Sequence, residues 1–294
     1  MIYGLATAVC WGLADLGAAI VSRRYGSFRT LVTAQAGSMV PLTLILVFGL
    51  APPTGPLGWN AVSVIVAGTF ATLAFYSLYR GLELGPVAIV SPVTAAYSAI
   101  TLLLAVVLLN EHLSSLAAVG AGLTIAGVVG ATAVPRAVHR GDPEHDPGRA
   151  GIAYGFLAMG TFGVATFLIG SAARTLDWFV PTYLSRLATL ATILVVVVVI
   201  RIRPRRTPAT PHEPMRWRGL LAATAIGVAD AAGLMLFSLA GHKGMVAIAA
   251  ATSAVFPLVP VAGGLLLFGE RPTALQLSGV GIVIAGLVLL GLGA

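Results

Sequence analysis

The sequence predicts an all-α polytopic membrane protein, with ten transmembrane helices arranged as two inverted five-helix repeats. Composition is the first observation behind this. Hydrophobic residues make up 58% of the 294 and charged residues only 9%, against roughly 45–50% and 25% in soluble domains. The second is a set of ten apolar runs, each near the roughly 20 residues a helix needs to cross a hydrocarbon core about 30 Å thick. They lack the alternating period of barrel strands, which excludes a β-barrel. The third is internal repetition. Shifted by 159 residues, 68–127 lies on 227–286, so that Gly85-Pro86-Val87-Ala88-Ile89 meets Gly244-Met245-Val246-Ala247-Ile248 and Glu111 meets Glu270. Near the start of each half the shift is 151, pairing Tyr3-Gly4 with Tyr154-Gly155, Gly12 with Gly163 and Arg23 with Arg174. Copies with an odd number of segments must lie upside down relative to each other. The first repeat is placed at 1–134, a linker at 135–150 and the second repeat at 151–294.

The first segment, near 2–21, is apolar apart from Asp15, with Trp11-Gly12 one turn ahead of that acid. Cys10 is the only cysteine, which leaves no intramolecular disulfide or CxxC pair. The run lacks a basic leader, holds Asp15 and has a second copy around Gly155, so a cleaved signal peptide is not expected. Segment two, near 30–50, carries Gln35. Segment three, near 60–79, starts beside Trp59, an interfacial anchor, and holds Tyr76 and Tyr79. Segment four, near 85–108, is interrupted by Pro92, flanked by Ser91 and Thr94, with Tyr97 a turn further on. Proline frees a backbone carbonyl that a neighbour, water or a cavity must satisfy. The hydroxyls beside it can do so, or meet a polar solute. Glu111 stands ahead of segment five, near 114–134, beside Ser114. A carboxylate before a helix start favours the exposed N–H groups and the positive dipole end, so Glu111 and Glu270 read first as helix-start residues.

The second repeat restates this with different polar residues. Segment six, near 151–173, has Thr166 where the first copy has Asp15. Segment seven, near 178–200, begins at the interfacial Trp178 and has Arg186 where the first copy has Gln35. A basic, proline-rich loop, Arg201–Arg218, contains the third anchor, Trp217. Segment eight, near 219–240, holds Asp230, matched by Ala71. Segment nine, near 245–268, is broken by Pro257 and Pro260 beside Ser253 and Phe256, the mate of Tyr97. Paired interruptions in two halves are the best sequence pointer to a transporter's binding site. Segment ten, near 274–292, contains Gly279–Gly286, superficially a nucleotide fingerprint. Its copy at Gly120–Gly127 lies in an equally apolar run, so both read as helix-packing surfaces.

Asp15, Arg186 and Asp230 lie inside segments, where an ionisable residue costs roughly 2.5–3.5 kcal/mol on insertion scales and faces a cavity or a partner. Their mates Thr166, Gln35 and Ala71 indicate that the scaffold does not demand these charges. At about 1.5 Å per residue, Asp230 falls near the membrane centre, Arg186 slightly outward and Asp15 slightly toward the cytoplasm. Two readings stand side by side. Arg186 and Asp230 form an ion pair that ties helices together, or Asp230, Asp15, Arg186 and Gln35 bind substrate or a coupling proton. Trp11, Tyr76, Tyr97, Ser91, Thr94, Ser253 and Phe256 are the candidate cavity lining, although aromatic rings within a bundle often serve packing.

The other cations orient the chain. Loops after odd-numbered segments hold fourteen of them (Arg23, Arg24, Arg29, Arg80, Arg136, Arg140, Arg149, Arg201, Arg203, Arg205, Arg206, Arg216, Arg218 and Arg271), and the other side holds only Arg174 and Lys243. Cationic loops stay cytoplasmic, so both termini are expected outside, with the chain in the cell's cytoplasmic membrane. The net charge of +7 therefore reflects topology. No nucleic-acid partner is read, because the basic residues lie in short loops with no domain to carry them. The sequence has no Walker A loop, HExxH, GxSxG or metal-spaced His/Cys cluster, so no ATP, metal or cofactor is expected. The five histidines, His112, His139, His145, His212 and His242, are scattered among loops.

The paired stretches SPVTAAYSAITLLLAVVLLNEHLSSLAAVGAGLTIAGVVG and ATSAVFPLVPVAGGLLLFGERPTALQLSGVGIVIAGLVLL resemble the two EamA repeats of the drug/metabolite transporter superfamily. That pattern is a proline-containing helix ending in Glu, a short turn and a glycine-bearing helix, and Trp11-Gly12 resembles the family too. The resemblance covers essentially the whole chain. It implies a ten-helix basket around a central cavity and, for most members, export of small metabolites. The uncharged 51–58 loop and the arginine-loaded seventh loop depart from many relatives, whose termini usually lie inside. The expected function is a secondary transporter in the lipid bilayer, proton-coupled or exchanging, that exports a small molecule such as an amino acid by alternating access. It would act as a monomer or homodimer. A passive facilitator or channel is the alternative, and a membrane-embedded enzyme a more distant one.

Overall fold

The structure, a computed structural model, describes residues 2–51, 57–110, 114–132, 147–176, 179–202, 212–242, 253 and 255–293. These form eleven helices and no strand: α1 (Ile2–Tyr25), α2 (Ser27–Val47), α3 (Asn60–Leu84), α4 (Val87–Ala95), α5 (Tyr97–Leu109), α6 (Ser115–Thr132), α7 (Pro147–Leu176), α8 (Phe179–Ile202), α9 (Trp217–His242), α10 (Leu258–Leu266) and α11 (Ala274–Gly293). With α4 and α5 counted as one, nine described spans are long and apolar enough to cross a membrane. The short α10 belongs to the ninth segment, which brings the crossings to ten. Lipid contact explains the apolar exterior: α8 exposes Leu194, Val195, Val198 and Val199.

Helix ends depart from the sequence reading in ways that matter. α1 continues to Tyr25 and α3 to Leu84, so Arg23, Arg24 and Arg80 lie on helix ends rather than in loops. α7 starts at Pro147, inside the stretch read as linker; proline suits the first turn, where an N–H would lack a partner anyway. The two proline breaks appear where expected. After Pro92 the ladder tightens, with the Ala96 N–H reaching the carbonyls of Pro92 (3.3 Å) and Val93 (3.2 Å), and α4 gives way to α5. In segment nine the Phe256, Leu258 and Val259 N–H groups bond three residues back, to Ser253, Val255 and Phe256. This is the tighter 3₁₀ pattern, and α10 begins directly after Pro257.

Glycines let the two copies interlock, and each contact recurs in its repeat-equivalent form. A Cβ on Gly12 of α1 would lie 2.6 Å from Val259, and one on Gly163 of α7 would lie 2.6 Å from Ile100. Gly12 and Gly163 are repeat mates, as are Ile100 and Val259. A Cβ on Gly68 of α3 would meet the Ser185 carbonyl of α8 at 2.6 Å, while Gly227 of α9 lies against the Ala34 carbonyl of α2, the mate contact. Each half thus packs its helices on the other half. The final helices of the copies, α6 and α11, pair through Gly127 on Val283 and Gly286 on Thr124, each with a would-be Cβ 2.5 Å from a backbone nitrogen. Ala117 at the start of α6 sits against Gly293 at the end of α11, and Ala131 against Gly279, so these equivalent helices run antiparallel. Opposed directions of equivalent helices are what inversion of the copies requires.

Candidate functional site

A partly open cavity of about 530 Å³ lies between the two halves. One face of each surrounding helix supplies its wall, at the i, i+3, i+4, i+7 spacing of a helical stripe. Thr182, Ser185, Arg186 and Thr189 come from α8, Phe162, Ala165, Thr166 and Ile169 from α7, and Asp230, Leu234 and Phe237 from α9. Repeat mates face each other across it. Asp15 and Thr166 both line it, as do Asp230 and Ala71, and Tyr97 and Phe256. The lining reaches Ala105, Thr182 and Gly291, each within a few residues of a helix end on the side of the chain termini.

The charged residues come together as two groups. Arg186 donates from Nη2 to Asp230 Oδ2 at 2.5 Å and from Nη1 to Gln35 Oε1 at 2.7 Å. Its guanidinium also lies 4.9 Å from the centre of the Phe75 ring. Gln35 is 1% exposed, so its amide serves Arg186 and does not face the cavity. Trp11 Nε1 donates to the Asp230 backbone carbonyl at 3.2 Å, tying α1 to α9 at the level of this pair. Asp15 forms the second group: its Oδ2 accepts a 2.9 Å bond from Ser91 Oγ on α4.

At the opposite, arginine-bearing end of the bundle, ionic contacts tie the described elements together. Glu270 accepts from the N–H groups of Val87 (2.8 Å) and Ala88 (2.9 Å), which open α4, and from Arg23 Nη2 at 3.1 Å. Arg23 also donates to the carbonyls of Leu82 and Gly85, and its guanidinium lies 3.9 Å over the Phe268 ring. Nearby, Glu83 takes Arg80, the His212 ring at 3.0 Å and the Ser27 N–H at 2.9 Å. The helix-start reading of Glu270 is thereby corrected in its target. It caps α4 across the halves, while α11 is capped by Thr273 and Gln276, each bonding the other's backbone N–H, the reciprocal arrangement of a capping box. Glu111 lies outside the described residues.

The sequence model of the EamA-like transporter family matches residues 1–133 and again 149–292. The chain belongs to the EamA-like transporter family. It is therefore a multi-pass membrane transporter of small molecules and not an enzyme. No curated protein matches it. A solved crystal structure with 16% sequence identity superposes over 98% of this chain and 94% of its own, with a TM-score of 0.61, a likeness of fold alone.

Within this EamA-like basket the candidate residues separate. Trp11, Asp15, Thr94, Tyr97, Arg186, Asp230, Ser253 and Phe256 line the cavity. Ser91 and Gln35 stand behind it as the hydrogen-bond partners of Asp15 and Arg186. Tyr76 lies off the lining, packed edge-on to Phe28 and Tyr154. Pro92, Pro257 and Pro260 shape the backbone without facing the cavity. The sequence reading missed Phe75, Phe162 and Phe237, and the Ser98–Thr101 continuation of the Thr94–Tyr97 stripe. Carrying Thr94 and Tyr97 forward by four finds Ser98 and Thr101, and carrying Asp230 forward by seven finds Phe237. Nothing local singled out Phe75 or Phe162, which meet only through helix packing, their rings 4.8 Å apart. Among the described residues no group of three His, Cys, Asp or Glu is placed to hold a metal ion.

Proposed function

We propose that this EamA-like chain is a secondary active exporter of an amino-acid-sized organic solute, coupled to protons or to exchange, that works by alternating access. The observation that carries the proposal is a cavity walled by repeat mates from both halves, running toward one end while ionic contacts hold the other end together. Two equivalent halves around one site give two equivalent ways to close, which alternating access requires. Asp15 is the carboxylate proposed to load and release the coupling proton, since a single hydroxyl faces it and Asp230 is held by Arg186. The Arg186, Asp230 and Gln35 group fixes α2, α8 and α9 around the solute. The arginine bias supports a cytoplasmic arginine-bearing end and extracytoplasmic termini in the cytoplasmic membrane.

The test compares metabolites in the medium of cells overproducing the protein, the Asp15→Asn variant or neither. A solute enriched outside only with the unaltered protein, and lost when a protonophore collapses the gradient, supports the proposal. Enrichment that survives the protonophore and never exceeds the internal concentration identifies a passive facilitator instead, since a channel cannot concentrate solute.

A further inference from the structure

Resting on that transport reading, we propose that the solute is an amphipathic monoamine, with one ammonium group on an apolar body and no carboxylate. Charge balance in the cavity points there. Its charged wall residues are Asp15, Asp230 and Arg186, two negative and one positive when all are ionised. The positive one is already engaged: one N–H of each terminal nitrogen goes to Asp230 or Gln35, and its guanidinium lies over the Phe75 ring. No described cation pairs with Asp15, whose hydrogen bond comes from a serine hydroxyl. An incoming ammonium supplies the missing opposite charge to a carboxylate half-buried in the cavity wall, where pairing offsets the cost of lost hydration.

The wall around Asp15 suits the rest of such a molecule. Trp11, one turn away on α1, stacks with Phe237 at 6.0 Å between centroids and meets Phe256 edge-on at 5.9 Å. Aromatic faces attract cations through their negative quadrupole and repel anions. A zwitterion would bring a carboxylate that must compete with Asp230 for Arg186, rest against those faces or rely on the neutral hydroxyls of the wall. A neutral body would suit only the protonated form of Asp15 and leave the ionised form unmatched. Selection against both comes from groups left without partners, a penalty on the wrong solute as much as a reward for the right one. A cavity of about 530 Å³ falls within the usual size of small-molecule sites and accommodates a ring-bearing amine.

Isothermal titration of the purified protein in detergent tests this with three probes that share one ring: phenethylamine, phenylalanine and 3-phenylpropionate. Phenethylamine should bind at least about tenfold more tightly than either of the others. Asp15→Asn should weaken it by about tenfold or more, and Asp15→Glu should keep most of it. Equal or tighter binding of phenylalanine, no binding of phenethylamine, or unchanged binding in Asp15→Asn overturns the proposal. Should Asp15→Asn fail to fold, the three-probe series on the unaltered protein decides by itself. Proteoliposomes separate the two layers. Phenethylamine that binds yet is not moved by any gradient leaves the monoamine site standing and removes the transport reading. Gradient-driven movement of a different solute without amine binding does the reverse.

Discussion

Arg186 is the residue on which the middle of the molecule turns, because it holds Asp230 and Gln35 from a position 9% exposed. Removing one member of such a pair strands the other. Breaking a buried pair costs about 3–5 kcal/mol, most of it the desolvated charge left behind. Asp230→Asn is therefore expected to lower the thermal unfolding midpoint in detergent substantially. Adding Arg186→Gln should restore much of the loss, because the stranded cation is gone. An Asp230→Asn protein as stable as the parent, yet unable to drive transport uphill, would instead make Asp230 the proton carrier. Asp15 differs in kind. With a hydroxyl as its partner, its neutral replacement strands no opposite charge, and that is why it serves as the test position for coupling and for the amine.

At the level of elements, the decisive piece is the start of α4. Its first N–H groups would be orphaned, and the acid that satisfies them arrives from beyond α10, in the other half of the chain. A gate made this way opens only when Glu270 leaves both the helix start and Arg23. Glu270→Gln removes the charge and sets amide hydrogens against an N–H group, so this end should open more often. The readout is the rate at which a membrane-impermeant maleimide modifies Leu82→Cys in a Cys10→Ser background. Loss of one charge-assisted contact worth about 1.5 kcal/mol should raise that rate about tenfold, and an unchanged rate would show that Glu270 does not hold this end. The repeat gives the contrasting control. Glu111, Arg174 and Val246-Ala247 are in sequence register with Glu270, Arg23 and Val87-Ala88. The repeat register leads us to expect these parts at the opposite face, so Glu111→Gln is expected to slow the same labelling rather than speed it.

For the whole molecule the open variable is which way the basket points. The Arg23–Glu270 contact, the Arg24–Glu213 contact and Arg80 gather at one end, away from the chain termini. The arginine bias is the basis for proposing that this end is cytoplasmic. A C-terminal alkaline phosphatase fusion should therefore be active, and a C-terminal green fluorescent protein should stay dark. Fluorescence would reverse the orientation and with it the side toward which the described cavity runs, while leaving the helix packing untouched.

The class, the two-fold repeat and the presence of charges inside apolar segments are legible in the sequence alone. Apolar length admits only membrane-spanning helices, and a 151-to-159-residue register is visible without coordinates. An acid or an arginine in an apolar run stands out wherever it falls. The proline breaks were legible for the same reason, since a missing N–H acts on its own helix. Apart from the Arg186–Asp230 pair, which the sequence already offered, partnership emerged from the fold. Glu270 reads locally as a cap for the helix that follows it, yet its carboxylate reaches α4, more than 180 residues away in sequence. Gln35 and Ser91 proved to be supports for Arg186 and Asp15, and Tyr76 turned out of the cavity onto Phe28 and Tyr154. A side chain's type and depth are properties of its own segment. Which of several candidate partners it meets depends on helix rotation and crossing, set by the glycine contacts between the halves, and that information is distributed over the whole chain.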